Sequence, residues 1–429
     1  MKMLYCFLTS FCFLALNANA QQPGQLDLSF GNQGRVYIDY GASSRAMDVA
    51  ILPDDRILIA GTYDSELTGQ RALIGRFLPD GDVDPDFGQF GRIIADIGGT
   101  ITNLTNVRLL PDGRFYVAGK THFEGKDRIL VARFHPDGDF DTDFGTGGYT
   151  LLSVEEESGQ LPSGLAMDNA GRIVISGYAF LEDGRRPLVT RLDSDGSLDL
   201  NFGENGFVLP HVEHEDPLAE IRFDGIALQD DGKIIAAGYY GIPLDFKGMV
   251  MQFNEDGSPD PDFGENGVTT ISQNYEMHHI YDVATTAEGN IMISGNYFDI
   301  NVGPAYLLMR IFPNGSIDEG FGNNGYSTPE VMINGSFGRA ISTTTEPNGP
   351  ITVFGSTGDN FSGIRVTHEG LLDSEFASDG LVLTPANGGS GRIRAAGLQS
   401  DGKLIAAGSR FFNLSHTAVL LRYHTGNRF

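Results

Sequence analysis

Histidines interleaved with carboxylates occur in two segments of this sequence. The first is "HVEHED", from His211 to Asp216, and the second is "MHHIYD", which contains His278, His279 and Asp282. Imidazole and carboxylate groups are ligands that divalent transition metals accept. The spacing matches neither H-E-x-x-H nor a zinc-finger pair. Solvated loop residues are therefore the simpler interpretation, and a metal site would require both segments to meet at one end of the fold.

Closely spaced aspartates form a second candidate for metal chemistry. "DGDVDPD", from Asp80 to Asp86, and "DGDFDTD", from Asp137 to Asp143, resemble the oxygen-rich loops that bind calcium. The full twelve-residue EF-hand pattern is missing, and "DGSLDLN" from Asp195 shows that related segments lose carboxylates. We therefore predict no cofactor, with weak Ca²⁺ binding by the first two loops as the open alternative.

Local motifs for catalysis are absent from the sequence. It contains no G-x-S-x-G elbow, Walker loop, Rossmann fingerprint or haem-binding CxxCH. The two cysteines, Cys6 and Cys12, both lie in the first twenty residues, so the rest of the chain has no disulfide, thiolate ligand or cysteine nucleophile. No catalytic residue is predicted, and any catalysis would need side chains gathered from distant parts of the chain.

The first twenty residues have the pattern of a signal peptide. Lys2 supplies a basic start, an apolar run extends from Leu4 to Leu16, and Ala18-Asn19-Ala20 forms an A-x-A cleavage site. We expect residues 1–20 to be removed and residues 21–429 to be exported, to the periplasm or the cell exterior. No later segment reaches eighteen apolar residues, so no membrane insertion is expected.

The charge balance restricts the partners. The chain has 29 basic and 56 acidic residues, for a net charge of −27. Such a charge repels nucleic acids and anionic membrane surfaces, and it favours solubility. We therefore expect no nucleic-acid partner, while the oligomeric state is left open.

A nine-residue motif recurs along the chain. It begins as "LDLSFGNQG" at Leu26 and ends as "LDSEFASDG" at Leu372. Its phenylalanines are separated by 57, 57, 58, 61, 58 and 55 residues: Phe30, Phe87, Phe144, Phe202, Phe263, Phe321 and Phe376. A period of this regularity indicates an array or a propeller.

Each repeat contains four short β-like runs, which we name A to D in chain order. They are rich in Val, Ile, Phe and Tyr, and end in turn sequences such as PDG and PNG. Seven units of four antiparallel strands predict an all-β, seven-bladed β-propeller spanning residues 21–429, with an all-β solenoid as the alternative. The chain ends after a C strand, so we expect Gly34 to Asp39 to supply the missing D strand and close the ring.

The repeats resemble a known family. "LPDGRFYVAG…ILVARFHPDGDFDTDFGTGG", from Leu110 to Gly148, is similar to the delta-60 repeat, and the resemblance extends from about Leu26 to Tyr423. It implies a bacterial exported propeller. The family has no established common activity, so the resemblance implies no particular activity for this chain. The departures are local, since Phe376-Ala377 replaces Phe-Gly and Gln252 stands where the other copies have arginine.

The repeated positions are expected to be scaffold. We expect the motif to connect blades, with its phenylalanine as an apolar plug and its leading aspartate accepting backbone hydrogen bonds and pairing with the C-strand arginine. Small or short side chains in the A runs suit the crowded axis, and one alignment places there Asp48, Asn106, Gly164, Gly225, Asp282, Ala340 and Ala395.

Function is expected on the face that carries the D–A and B–C loops, because those loops vary in length and composition. Their aromatic residues suit sugar stacking or peptide anchoring, and the alternative interpretation is that each ring covers its own blade edge. The prediction is a non-catalytic module for a carbohydrate or a protein or peptide ligand, with these binding residues: Tyr239, Tyr240, His278, His279, Asp282, Tyr297 and Phe298.

The alternative is an extracellular enzyme, of polysaccharide hydrolase or lyase type, with its site at the channel mouth. The same alignment nominates these polar residues for it: Asp48, Asn106, Asp224, His278, Asp282, Arg339 and Arg394.

Overall fold

The fold was obtained as a computed structural model. It describes residues 22–154, 159–182, 184–216, 219–243, 245–272, 277–299, 303–327, 338–345 and 349–426. All the regular structure in these ranges is β-strand, and they contain no helix long and apolar enough to cross a membrane.

Seven four-stranded antiparallel sheets make up the fold. The A strands contact one another around the ring and are innermost. They are β2 (Ser43–Ile51), β6 (Thr102–Leu109), β10 (Gly159–Met167), β14 (Glu220–Leu228), β18 (Met277–Thr285), β22 (Gly338–Thr345) and β26 (Ser390–Leu398). The B strands are β3 (Ile57–Ser65), β7 (Phe115–Phe123), β11 (Ile173–Leu181), β15 (Ile234–Ile242), β19 (Ile291–Asp299), β23 (Ile351–Thr357) and β27 (Leu404–Phe412).

The C and D strands complete each blade on its outer side. The C strands are β4 (Gly69–Phe77), β8 (Lys126–Phe134), β12 (Gly184–Leu192), β16 (Asp245–Phe253), β20 (Gly303–Ile311), β24 (Asn360–Val366) and β28 (Ser415–Tyr423). The D strands are β5 (Arg92–Ala95), β9 (Tyr149–Leu152), β13 (Phe207–Val208), β17 (Val268–Ile271), β21 (Tyr326–Ser327), β25 (Leu381–Pro385) and β1 (Arg35–Ile38). Blades 1 to 7 are numbered by their A strands, and the prediction of an all-β, seven-bladed propeller is confirmed.

The N-terminal strand closes the ring, as predicted. β1 pairs with β28 in antiparallel register, from Arg35 opposite Leu421 to Ile38 opposite Ala418. On the other side of the seam, the Ala377 amide donates to the carbonyl oxygen of Pro23 over 2.8 Å. The first and last strands of the described chain, β1 and β28, therefore belong to blade 7, and each of the seven described sheets has its fourth strand.

The repeated motif lies between the C and D strands of one blade, which corrects the expectation that it links two blades. It joins neighbouring blades through contacts instead. The Gly31 amide donates to the carbonyl oxygen of Asp80 in the next blade over 2.8 Å. All seven motif phenylalanines are fully buried, and a Cβ atom on Gly81 would lie 2.9 Å from the Phe30 ring. Each ring is thus an interblade plug, whose burial contributes about 2–3 kcal/mol.

In six blades an arginine on the C strand stabilises the turn that carries the motif aspartate, and we call this turn the corner of the blade. The arginine guanidinium pairs with the motif aspartate at 2.6–2.8 Å in six blades: Arg76–Asp84, Arg133–Asp141, Arg191–Asp199, Arg310–Asp318, Arg365–Asp373 and Arg422–Asp27. It also donates to a turn carbonyl of the following blade, as Arg133 does to Ser194 over 2.6 Å. In blade 4, Lys233 reaches Asp260 over 2.8 Å, while Gln252 bonds to Gln229. The predicted arginine–aspartate pairs are therefore confirmed, with Gln252 as the exception.

Candidate functional site

A β-bulge interrupts every innermost strand at the same level. One residue in each strand has no partner in the pairing with the B strand: Met47, Thr105, Ser163, Asp224, Tyr281, Ile341 and Arg394. Bulges re-aim the side chain that they leave unpaired. We call these seven residues the bulge ring.

A glycine in the B strand makes six of the bulges sterically feasible. A Cβ atom on Gly61 would lie 1.9 Å from the carbonyl oxygen of Arg45, and one on Gly295 would lie 1.9 Å from that of His279. The same approach, at 1.9–2.1 Å, occurs at Gly119, Gly177, Gly238 and Gly408. Glycine inside a strand often marks such a close backbone approach. The glycine in the repeated "AG" or "SG" therefore sets the geometry of the channel.

The bulge ring lines the central channel. A cavity of about 500 Å³ on the propeller axis is lined by Met47, Thr105, Ser163, Asp224, Tyr281 and Arg394; the side chain of Ile341 lies outside the described residues. The lining is chemically mixed, with an apolar thioether, two hydroxyls, a carboxylate, a phenol and a guanidinium. The same β-bulge, repeated in every innermost strand, thus directs a different side chain into the channel from each blade whose side chain is described.

A second ring stands two residues earlier, towards the D–A/B–C face. Along the innermost strands buried and partly exposed residues alternate up to the bulge, as in the stretch from Ser43 to Met47. Because these strands are innermost, the exposed side chains face the channel. This upper ring consists of Arg45, Asn103, Leu161, Arg222, His279 and Arg392, with Arg339 at the equivalent backbone position of blade 6.

Arg222 and Asp224 form an ion pair in the channel wall of blade 4. The Nε and Nη2 atoms of Arg222 lie 3.0 and 2.9 Å from the two carboxylate oxygens of Asp224, whose side chain is 9% exposed. Burial raises the pKa of Asp224 to about 6, although the Arg222 charge and a hydrogen bond with Ser163 oppose the shift. A carboxyl group with this pKa can hold or release a proton near neutral pH.

Aromatic side chains surround the upper part of this ion pair. The Arg222 guanidinium lies 5.1 Å from the ring centroid of Tyr239 and 5.6 Å from that of Tyr178 in blade 3. His279 packs edge-on against Tyr239, with centroids 4.4 Å apart, and stacks near Tyr281 at 6.0 Å. Burial raises the pKa of Tyr239, so its hydroxyl keeps its proton. Rings and hydrogen-bonding groups are thus combined on one wall of the channel mouth.

Asp48 is used by the scaffold. Its carboxylate accepts hydrogen bonds from the Val107 amide over 2.9 Å and from Arg108 Nη1 over 2.6 Å, which joins blades 1 and 2. The axis below the bulge is crowded, since a Cβ atom on Gly225 would lie 2.8 Å from the Val283 amide nitrogen. Short side chains were predicted at this level.

The alignment of the sixth repeat requires a correction. In blade 6 the residue after the bulge is Ser342, opposite Phe354, and not the predicted Ala340, which pairs with Gly355 before the bulge. The insertion assumed for this repeat is unnecessary. Arg339 and Ala340 have side chains outside the described part of the structure.

The seven residues predicted to bind ligand occupy different environments. Tyr239 and His279 contact each other at the channel mouth, and Asp282 lines the channel. His278 and Tyr297 are opposite one another in the sheet of blade 5 and are 0% and 2% exposed. Tyr240 and Phe298 are partly buried in their B strands. Ligand binding by these residues stays a prediction.

The segments considered as metal-binding candidates have other contacts. The Asp80 and Asp84 carboxylates accept hydrogen bonds from the Asp82 and Asp86 amides, both over 3.1 Å. His214 lines a separate cavity of about 520 Å³, and its Nδ1 accepts the Asp216 amide over 3.0 Å. Within the described ranges, no group of three or more His, Cys, Asp or Glu side chains is arranged to hold a metal ion.

Sequence reasoning missed most of the two rings. Arg45, Thr105, Ser163, Tyr281 and Arg392 were not selected, because an alignment of the repeats does not reveal which residue a bulge turns into the channel. The available signal was the glycine repeated inside each B strand, which is out of place in a regular strand.

Comparison with known proteins agrees with this architecture. Five segments match the model of the domain of unknown function DUF5122 β-propeller: residues 52–87, 110–144, 171–202, 229–263 and 287–321. A search of curated proteins gave no significant match.

Among solved structures, polysaccharide lyase Uly1 is similar with a TM-score of 0.53 and 12% identity, over 96% of this chain and 94% of that one. Sqt1 from Chaetomium thermophilum has a TM-score of 0.48 and 11% identity, over 91% and 98% of the two chains. At 12% identity the likeness to Uly1 is one of fold. With five repeats matched by that model and seven blades of one design, the chain is a β-propeller repeat protein.

Proposed function

We propose that this protein is an exported, non-catalytic binding module whose ligand enters the channel mouth on the D–A/B–C face. The observation that carries the proposal is the contrast between a repeated backbone and a non-repeated lining. Motif phenylalanines, corner ion pairs and B-strand glycines recur around the ring, whereas the six described members of the bulge ring are six different residue types. A rigid scaffold that varies at one surface is typical of binding proteins.

The chemistry of the mouth suits a carbohydrate or peptide. Tyr178, His279 and Tyr281 are partly exposed rings. Arg222 lies between Tyr178 and the buried ring of Tyr239, which packs against His279. Aromatic rings bind the apolar faces of sugars and peptide side chains, while nearby polar groups fix orientation. The cavity of about 500 Å³ is large enough for a few sugar units or side chains.

Thermal unfolding with ligand panels tests the binding function. Residues 21–429, which contain every described strand, would be heated with oligosaccharides and with peptides. A ligand of the native state stabilises it by about 2.7 kcal/mol at a hundredfold excess over its Kd. Tyr281→Ala should abolish the shift, whereas Phe90→Ala, an 82% exposed aromatic on the opposite face, should preserve it. Equal shifts in both variants would remove the channel mouth as the site.

Export is tested separately. Protein recovered from the periplasm or culture medium of an expressing bacterium should begin at Gln21 by N-terminal sequencing. Accumulation in the cytoplasm of a chain that still carries Lys2 would contradict export.

Asp224 favours a second candidate function, an extracellular polysaccharide-cleaving enzyme. A buried carboxyl group with a pKa of about 6, paired with Arg222 in a channel, has the properties of a general acid or base. Asp224→Asn should then remove product formation while ligand binding is retained. Binding without turnover by the parent protein would leave the non-catalytic function.

A further inference from the structure

The upper ring concentrates positive charge on an acidic protein. Arg45 in blade 1 and Arg392 in blade 7 are neighbours around the ring, and neither forms an ion pair with a carboxylate in the described ranges. The arginines of the corners, and Arg222 in the same ring, all have carboxylate partners. Two uncompensated guanidinium groups at one mouth are unexpected in a chain of net charge −27.

Further cations adjoin this pair. Arg394 belongs to the bulge ring directly below Arg392, and Arg410 lies on β27 opposite Gly391. Burial, followed by the charges of Arg45, Arg394 and Arg392, lowers the pKa of His416 to about 4, so this histidine is neutral at physiological pH. The groups that face His416 therefore create a locally positive potential, which attracts anions from solution.

Exposed rings stand at the edge of the same area. Phe411 and Phe412, at the end of β27 on the D–A/B–C face, are both 41% exposed. Arg410 lies over the ring of Phe412 at 5.2 Å and that of Tyr37 at 4.5 Å, which holds these rings beside the arginines. Ring faces accept the apolar face of a pyranose, and guanidinium forks accept carboxylate or sulfate groups bidentately.

We infer that the channel mouth binds an acidic oligosaccharide, with its carboxylate or sulfate groups on Arg45 and Arg392 and a sugar ring on Phe411 or Phe412. The inference rests on the proposed binding function and specifies its ligand class. An acidic sugar chain fits better than an acidic peptide, because exposed flat rings, Phe411 and Phe412, lie on the same blade as cationic groups, with Arg410 over the ring of Phe412.

Titration calorimetry with matched sugars tests the ligand class. The probes are an oligogalacturonate and its fully methyl-esterified form, which has the same backbone without charge, together with a sulfated galactan oligosaccharide and its desulfated form. The carboxylate and sulfate arms identify which anion is preferred. At least one charged form should bind, and its neutral counterpart should bind at least about tenfold more weakly. Affinity for the charged form should fall as the salt concentration rises.

Substitutions locate the contact. Arg45→Gln with Arg392→Gln should weaken binding of the charged sugar at least about tenfold, whereas Arg92→Gln, on outermost strand β5 of blade 1, should leave it within about twofold. Unchanged near-ultraviolet circular dichroism would show that the variants fold. If the glutamine variants fail to fold, Arg45→Lys with Arg392→Lys keeps the charge, loses the fork and should still weaken binding.

Three outcomes would overturn the inference in distinguishable ways. Equal binding of the neutral sugars, undisturbed by the arginine substitutions, would refute the anionic class and leave the proposed function standing. Binding of poly-glutamate but none of the sugars would refute the sugar and leave the binding function. Binding of no sugar and no peptide would refute both proposals.

Discussion

The carbonyl oxygen of Arg222 lies 2.0 Å from the position that a Cβ atom would occupy on Gly238. The two residues belong to adjacent strands of blade 4, and this approach accompanies the bulge that turns Asp224 into the channel. The contact between the B-strand glycine and the carbonyl oxygen of the innermost strand therefore links the scaffold to the channel lining. The same contact recurs in five other blades.

Gly238→Ala should destabilise the protein strongly. The added methyl group cannot fit unless the innermost strand moves, so we expect the free energy of unfolding to fall by about 2–3 kcal/mol. Urea unfolding measures this change. Gly159→Ala is the matched control, since its new Cβ atom would lie at an ordinary 3.6 Å from Phe180. Equal stability of the two variants would contradict the steric role of the B-strand glycine.

Replacing corner arginines by glutamine should have unequal effects. Asp141 is held by Arg114 at 2.8 Å as well as by Arg133, so Arg133→Gln leaves it one cation, as Lys233 does for Asp260 in blade 4. We expect Arg133→Gln to cost about 1–2 kcal/mol in unfolding free energy.

Arg191→Gln removes the ion-pair partner of Asp199, which is 6% exposed, so its cost should be about 3 kcal/mol. Chemical denaturation of the two variants in parallel gives the comparison. A smaller loss for Arg191→Gln than for Arg133→Gln would show that the second cation does not compensate.

The contribution of Asp141 should disappear in acid. Burial alone would raise its pKa, but hydrogen bonds from Arg114 and Arg133 lower the pKa to about 2, from an ordinary 3.8. Since the folded pKa is the lower one, the stabilisation is fully present above pH 4 and is lost as the pH falls towards 2. The destabilisation by Asp141→Asn should therefore shrink over that interval. Melting temperatures of both proteins from pH 6 to 2 measure it, and parallel curves would argue against the shift.

Asp224 should show the opposite pH dependence. Its folded pKa, raised to about 6, exceeds the unfolded value of 3.8, so the native state binds more protons between these values. The free energy of unfolding consequently falls as the pH rises from about 4 to 6. Asp224→Asn should remove this slope, which urea titrations at several pH values would reveal. Retention of the slope in the variant would assign it to another group.

Truncation to residues 41–429 should prevent cooperative folding. The deletion removes β1, so β28 loses its hydrogen-bonded neighbour and blade 7 keeps an open edge. It also removes the fully buried ring of Phe30. We expect aggregation or a broad, non-cooperative melt by circular dichroism. A sharp transition at the parent temperature would show that ring closure contributes little.

The scaffold was predictable because its signals are repeated. Seven motif phenylalanines at intervals of 55–61 residues set the blade number, and the chain ends implied that Gly34 to Asp39 would complete blade 7. The Arg–Asp corners followed from two charges at fixed positions in nearly every copy. Each of these patterns recurs in the seven copies, so it remains recognisable when one copy departs from it, as at Gln252.

The site was harder to predict because it consists of what the copies do not share. An extra residue in a strand reverses the faces of all the residues that follow, so an alignment by turns alone does not show that a residue such as Tyr281 faces the channel. The burial of Tyr297 was also hidden, because both faces of a blade pack against neighbouring sheets. Alternation of apolar residues then no longer separates an inner from an outer face.

The bulge ring has a consequence for engineering new binders. Its side chains are presented by a backbone irregularity that depends on the B-strand glycine, and the corner residues that hold the blades together lie elsewhere. A library randomised at Met47, Thr105 and Ser163 would leave every plug, corner and closing strand intact. Selection from such a library would vary the residues that contact a ligand, while the residues that stabilise the fold stay unchanged. This propeller is therefore suited to serve as a display scaffold.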